Sequence, residues 1–253
     1  DELLAGYHGY PGERLLSLLE NRQFFDMLRF AKNWSRWPGR KYRHAWMFLG
    51  KVIFSDGIYK NARKMLGRNF SPSWLKADLL RDEKVYLNEK RMPLKNDARG
   101  LRVIERLSDS LQNRGLPKLL RHADRNSMRF SLESRVPFLT IPMVELVHSL
   151  PENYLIANSG ETKRVFRAAM RGIVPDDVLD RRDKLGFSTP ERKWILDSAP
   201  AFREWLQMSD KVPFINQDDL LENFDSIVAG RAPYTKKIWR WVNYVRWYSM
   251  LKT

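Results

Sequence analysis

Apolar residues recur along this chain at three-to-four-residue spacing, and almost nowhere do they alternate with a period of two over four or more residues. A pattern of that period can bury one face of a helix but cannot sort its side chains onto the two faces of a strand, so the fold is expected to be mainly α-helical. Leu15, Leu16, Leu18 and Leu19 crowd a first helix, and Phe24, Phe25, Leu28 and Ala31 line a second that stops near Trp37-Pro38-Gly39. Both sets are expected in the core. A third helix, Tyr42 to Phe54, carries Trp46, Phe48, Leu49 and Val52 and ends at the turn residues Ser55-Asp56-Gly57, and a further short helix ends at Gly67. Ser71 followed by Pro72 is a helix-start signal, because proline at the first helical position lacks a donor that would be unpaired there anyway. Residues 90–96 are polar and expected as a loop. Leu101, Ile104, Leu107 and Leu111 predict an amphipathic helix from Asp97 to Leu111, closed by Gly115. Near the end, Ile238, Trp241, Val242, Val245 and Tyr248 trace one stripe, which predicts packing rather than a platform for stacked bases.

Charge and cysteine content narrow the function classes. The formal charge is +15, with 45 Lys and Arg against 30 Asp and Glu, but the cations are spread along the chain and interleaved with acids, as in Arg81-Asp82-Glu83-Lys84. That distribution predicts a solvated basic surface; a basic module binding nucleic acid would need clustered charge on one recognition helix, and none is found. A helical interaction module would instead need the Trp-rich stripe to be exposed. No apolar run approaches the roughly 18 residues of a membrane span, and the chain has no cysteine, which excludes disulfides, thiolate metal sites and a cysteine nucleophile, and suits a cytoplasmic setting.

Three segments do not read as core helix. The first is Asp1 to Tyr7, which reads as the middle of a motif, so the biological chain is expected to begin further upstream. The second runs from Leu116 through His122-Ala123-Asp124-Arg125-Asn126-Ser127-Met128 to Ser131-Leu132-Glu133-Ser134-Arg135-Val136-Pro137-Phe138-Leu139. The third is Thr162-Lys163-Arg164 followed by Arg181-Arg182-Asp183-Lys184-Leu185-Gly186-Phe187. Asp124, Arg125, Glu133 and Arg135 could form a buried ion-pair frame or reach a substrate carboxylate through a bidentate arginine fork. The frame is the expectation for Glu133 and Arg135, and both options stand for Asp124 and Arg125. On the residues alone, Asp1 and Glu2 read as acids capping a helix N-terminus, where the dipole favours them.

In order and spacing these segments resemble the glutamine-hydrolysing asparagine synthetase family. The resemblance implies a single domain over 1–253: the C-terminal helical part of an adenine-nucleotide α-hydrolase-like (α/β) synthetase domain, with the pyrophosphate loop and N-terminal glutaminase domain lying outside this sequence. It implies ATP-dependent ligase chemistry with ATP and Mg2+, in which a carboxylate, aspartate or a similar acid, becomes an amide through an acyl-adenylate. Ammonia is drawn from glutamine in a separate domain. By the same resemblance Asp1 is a magnesium ligand, Lys184 sits over the reaction centre and Lys163 lies near the pyrophosphate, both touching nucleotide. Gly186 allows close backbone approach. The family's small-molecule partners are expected and nucleic acid and membrane are not, with a homodimer of the full-length protein an open option. Thr140 stands where the family usually has an aspartate after Val-Pro-Phe-Leu, and Lys184 is followed by Leu185-Gly186-Phe187. Both features fit an amidotransferase of a surface-polysaccharide or peptide pathway as the alternative.

Overall fold

The computed structural model describes residues 1–7, 10–55, 57–58, 61, 72–85, 92–182 and 189–251. Among the described residues the chain is helical, and extended pairing is confined to two isolated antiparallel bridges, Leu75 with Ile215 and Ile156 with Thr162. In chain order the α-helices are α1 (Pro11–Glu20), α2 (Phe24–Ser35), α3 (Tyr42–Ile53), α4 (Ala77–Asp82), α5 (Arg102–Asp109), α6 (Leu116–Met128), α7 (Ile141–Ser149), α8 (Glu152–Leu155), α9 (Arg164–Ala169), α10 (Asp176–Leu179), α11 (Glu191–Asp197), α12 (Ala199–Gln207), α13 (Gln217–Val228) and α14 (Lys237–Leu251). A π-helical turn, Ser110–Arg114, continues α5, and a 3-10 turn, Met208–Lys211, follows α12. The chain divides into two compact units, one of residues 1–62 and 91–184, the other of residues 63–90 and 185–253.

The first unit is centred on α1. Pro11 opens the helix, and Leu15, Leu16 and Leu18 are buried as the pattern requires. Gly12 lets α3 come close, since a Cβ there would lie 2.7 Å from the Phe48 carbonyl oxygen. On α2 only Ala31 of the expected stripe is buried. Phe24, Phe25 and Leu28 are exposed, whereas Phe30, Ala31 and Trp34 are buried and Met27 packs beside them. Two apolar stripes compete on that helix, and contact with α1 and α3 selects the second. The helix expected from Asp97 begins only at Arg102, and Leu101 lies outside it, 49% exposed. Val103 and Leu107 are fully buried in its place, with Ile104 and Leu111 partly buried. Gly115 does separate this helix from α6, where its N–H donates to the Ser110 carbonyl.

Charged groups as well as apolar ones hold this unit together. Glu152, at the start of α8, accepts from Arg14 Nη1 at 3.1 Å, Ser17 Oγ at 3.0 Å and the Val103 N–H at 2.7 Å. Arg102 donates to Glu20 Oε1 at 2.7 Å, to Glu105 Oε2 at 2.8 Å and to the Lys95 carbonyl at 2.7 Å, which pins the irregular 92–96 loop. Burial pushes the Glu152 carboxyl up, opposed by Arg14, Val103 and Ser17. Glu13 has no such set of partners. Burial raises its carboxyl to about 7, Arg106 stands 3.9 Å away, and its Oε2 is buried without a hydrogen-bond partner.

The second unit packs α11 to α14 around Ile195, Leu206, Leu220, Phe224, Ile238, Val242 and Val245. Ile238, Val242 and Val245 bear out the packing stripe, with Trp241 and Tyr248 partly buried against them. Pro72 does not open a helix: residues 72–76 form a turn and a bridge, and α4 starts at Ala77. Asn216 N–H donates to the Trp74 carbonyl and Lys76 N–H to the Phe214 carbonyl. Trp74 is buried edge-on to Trp241, 5.1 Å between centroids. Those long-range bonds outweigh the local start signal. Ser71 and the short helix expected to end at Gly67 lie outside the described residues.

Candidate active site

The first and third motif segments meet in the first unit. Asp1 Oδ1 forms an ion pair with Lys163 Nζ, joining residues 162 positions apart in sequence. The turn from Asp1 closes through the Gly6 N–H, which donates to the Asp1 carbonyl at 3.1 Å. A Cβ on Gly6 would overlap both Asp1 Oδ1 and Lys163 Cε, so the ion pair itself requires glycine there. Beside it Tyr7 donates to Glu2 and stacks on Tyr10.

Lys163 occupies the left-handed region, φ 57°, immediately before α9. A non-glycine residue in that region stores strain, which persists only where surrounding contacts over-determine the backbone. Here the Ile156–Thr162 bridge and the Ala157 N–H to Glu161 carbonyl bond, 2.9 Å, supply that constraint. Gly160, at φ 84°, turns the loop against the backbone of Trp34; a Cβ would lie 2.6 Å from its Cα. Burial and then the Arg167 cation push the Lys163 ammonium below the usual lysine range, while Glu2 opposes them. The Asp1 carboxylate favours the charged form.

Further cations converge behind Lys163. Arg167 donates from Nε to the Thr162 carbonyl at 3.1 Å and from Nη1 to the carbonyls of Leu179 and Arg181, the latter at 3.3 Å. The guanidinium carbons of Arg40 and Arg182 lie 5.0 and 5.4 Å from the Trp37 ring centroid. Trp37 Nε1–H donates to the Ser159 carbonyl and Arg40 to the Gly160 carbonyl. Burial, then Arg167, depresses Arg40 to about 10. Such a concentration of positive charge beside one carboxylate pair suits an anionic ligand. Sequence reasoning missed Arg167, Arg40 and Trp37. The one signal for Arg167 is its position one helical turn after Lys163.

The second motif segment has a different character. Asp124 and Arg125 are exposed on α6, where the Asp124 carbonyl accepts from Ser127 Oγ. Glu133 and Arg135 pair with each other at 2.8 Å, but with side chains 69% and 80% exposed they form no buried frame. Phe130, Leu132 and Ile141 in the same stretch are also exposed. Lys184 and Gly186 lie outside the described residues. Among the described residues no three His, Asp or Glu gather as a metal cluster, and no helix is long and apolar enough to cross a membrane.

A family model for asparagine synthase matches residues 1–251. The chain belongs to the asparagine synthase family. Asparagine synthetase [glutamine-hydrolyzing] 1 of Bacillus subtilis (strain 168) is 35% identical over 136 residues, 52% of this chain and 21% of that protein. Asparagine synthetase [glutamine-hydrolyzing] 3 of the same organism is 42% identical over 67 residues, 26% of this chain and 11% of that protein. The chain thus matches well under two thirds of these relatives' length. No solved structure gives a significant match. For a member of the asparagine synthase family, the Asp1–Lys163 pair brings together two residues that the resemblance had assigned to one nucleotide site.

Proposed function

We propose that the protein forms amides from carboxylic acids at the expense of ATP, as an asparagine-synthetase-type amidotransferase. The substrate carboxylate attacks the α-phosphorus of ATP, forming an acyl-adenylate and releasing pyrophosphate. Ammonia, drawn from glutamine, then adds to the acyl carbon, loses a proton and expels AMP. The observation that carries this reading is the ion pair between Asp1 and Lys163 within a chain whose family match runs from end to end. Aspartate is the first expected substrate, and the cytosol the expected compartment.

In this reading Lys163 neutralises pyrophosphate, and Lys184, with Gly186 admitting close approach, stabilises oxyanion charge in the transition state. Glu133, Arg135, Asp124 and Arg125 line the acid-binding side, where exposed charged groups are available to a ligand. Asp1 fits Mg2+, an ion that takes one or two protein carboxylates and fills its remaining positions with water and phosphate oxygens. Bound there, the ion would offset charge on the triphosphate.

The test is pyrophosphate release by the full-length protein with ATP, magnesium, aspartate and either glutamine or ammonium, compared with Lys184→Ala. Aspartate-dependent release that is lost in the variant supports the reading. Release with a different carboxylate keeps the chemistry and changes the substrate. Thr140, exposed at the start of α7 in place of the family's aspartate, favours this second reading, an amidotransferase acting on a surface-polysaccharide or peptide acid. Absence of release with every acid tried would sink both.

A further inference from the structure

We propose that Arg167 is a positioning residue: its guanidinium fastens the residue before Lys163 to the stretch from Leu179 to Arg181, so that the left-handed turn carrying Lys163 is held in place by one side chain. The inference rests on the proposed reading of Lys163 as a nucleotide-site residue. Its geometric basis does not. Nε donates back to the Thr162 carbonyl at 3.1 Å, and Nη1 donates forward to the carbonyls of Leu179 and Arg181. Thr162 and Leu179 are both buried, so the bonded carbonyls lie where bulk water is scarce and a lost donor is poorly replaced. Only a planar fork with donors on different edges reaches both sides at once; a lysine ammonium keeps the charge but offers a single point. The backbone N–H of Arg167 also donates to the Lys163 carbonyl at 2.9 Å, closing the first turn of α9 on the left-handed lysine.

The forward side is held a second time. Arg182 stacks over Trp37, whose indole N–H donates to the Ser159 carbonyl, and Arg40 donates to the Gly160 carbonyl. Residues 159–163 and 179–182 are therefore bridged by Arg167 on one side and by the Trp37–Arg182 stack on the other. Of these, Arg167 alone hydrogen-bonds to backbone on both segments.

The experiment uses the full-length protein with Arg167→Lys, which keeps the charge and loses the fork, and Arg167→Gln, which is neutral and keeps an amide donor. With the substrate that supports pyrophosphate release, Arg167→Lys should lower kcat about tenfold or more while KM for ATP stays within about twofold, the mark of an interaction used in the transition state rather than in binding. A kcat within about twofold of wild type in Arg167→Lys would overturn the proposal. A second readout needs no activity: amide hydrogen exchange at residues 159–163 and 179–182 should speed up in both Arg167→Lys and Arg167→Gln, and unchanged exchange there would overturn the fastening, whether or not the amide-forming reading stands.

Discussion

The frame around Glu152 and the segment from Leu116 to Ile141 both carry paired acids and bases, yet they differ in every physical respect. In the frame, Arg14, Glu152, Arg102 and Glu105 are buried, each carboxylate meets several donors, and the bonds of Glu152 to Arg14 and Val103 and of Arg102 to Glu20 join residues far apart in sequence. In the segment, the Glu133–Arg135 pair is local, two residues apart and solvated. Buried charges must be paired because desolvation is costly; exposed ones are screened and remain available to a ligand. The motif residues of the Leu116–Ile141 segment lie in the second kind of environment, and the residues that hold the unit together lie in the first.

The contrast can be broken most decisively at Glu152. Glu152→Ala should cost about 3–5 kcal/mol, because it strands Arg14 and the Val103 N–H in the core; equilibrium urea denaturation measures this, and a loss under about 1 kcal/mol would mean that the frame is solvated after all. Next comes Glu13, whose carboxyl is raised to about 7 from 4.5. Between those values the folded chain binds more protons than the unfolded one, so this group's contribution is full below pH 4.5 and is lost as pH rises through 7. Glu13→Gln should flatten that slope and make the variant the more stable of the two at pH 8, by up to about 3 kcal/mol, at roughly 1.4 kcal/mol per unit. Equal pH dependence in the two proteins would count against a buried, unpartnered carboxyl.

A smaller effect is expected at Gly160. Alanine there meets both a left-handed backbone and the Trp34 main chain, at a cost of about 1–3 kcal/mol by thermal or urea unfolding. Smallest of all is Glu133→Gln, expected to change stability by less than about 1 kcal/mol while, on the proposed function, impairing pyrophosphate release. A large stability loss there would erase the distinction between the two regions.

Helical class was legible in the sequence because period alone separates helix from strand. Which stripe of a helix faces inward was not always so. On α2 the stripe through Phe24 and Leu28 and the stripe through Phe30 and Trp34 are equally apolar by local pattern, and only packing with α1 and α3 decides between them. Pro72 misled for a related reason, since main-chain bonds from Trp74 and Lys76 to a segment some 140 residues later decide its surroundings. At the candidate site, motif spacing pointed to Asp1 and Lys163, which do meet. It could not point to Arg167 or Trp37, because bonds to backbone carbonyls place few demands on sequence that a single chain reveals.

The bonds from Glu152 to Arg14 and Ser17 span 138 and 135 positions. A ribosome delivers α1 long before it delivers the carboxylate that neutralises Arg14. Until Glu152 has emerged, the nascent helices have an arginine at their centre without the carboxylate that pairs with it, and closure of this unit waits on the second half of its own translation.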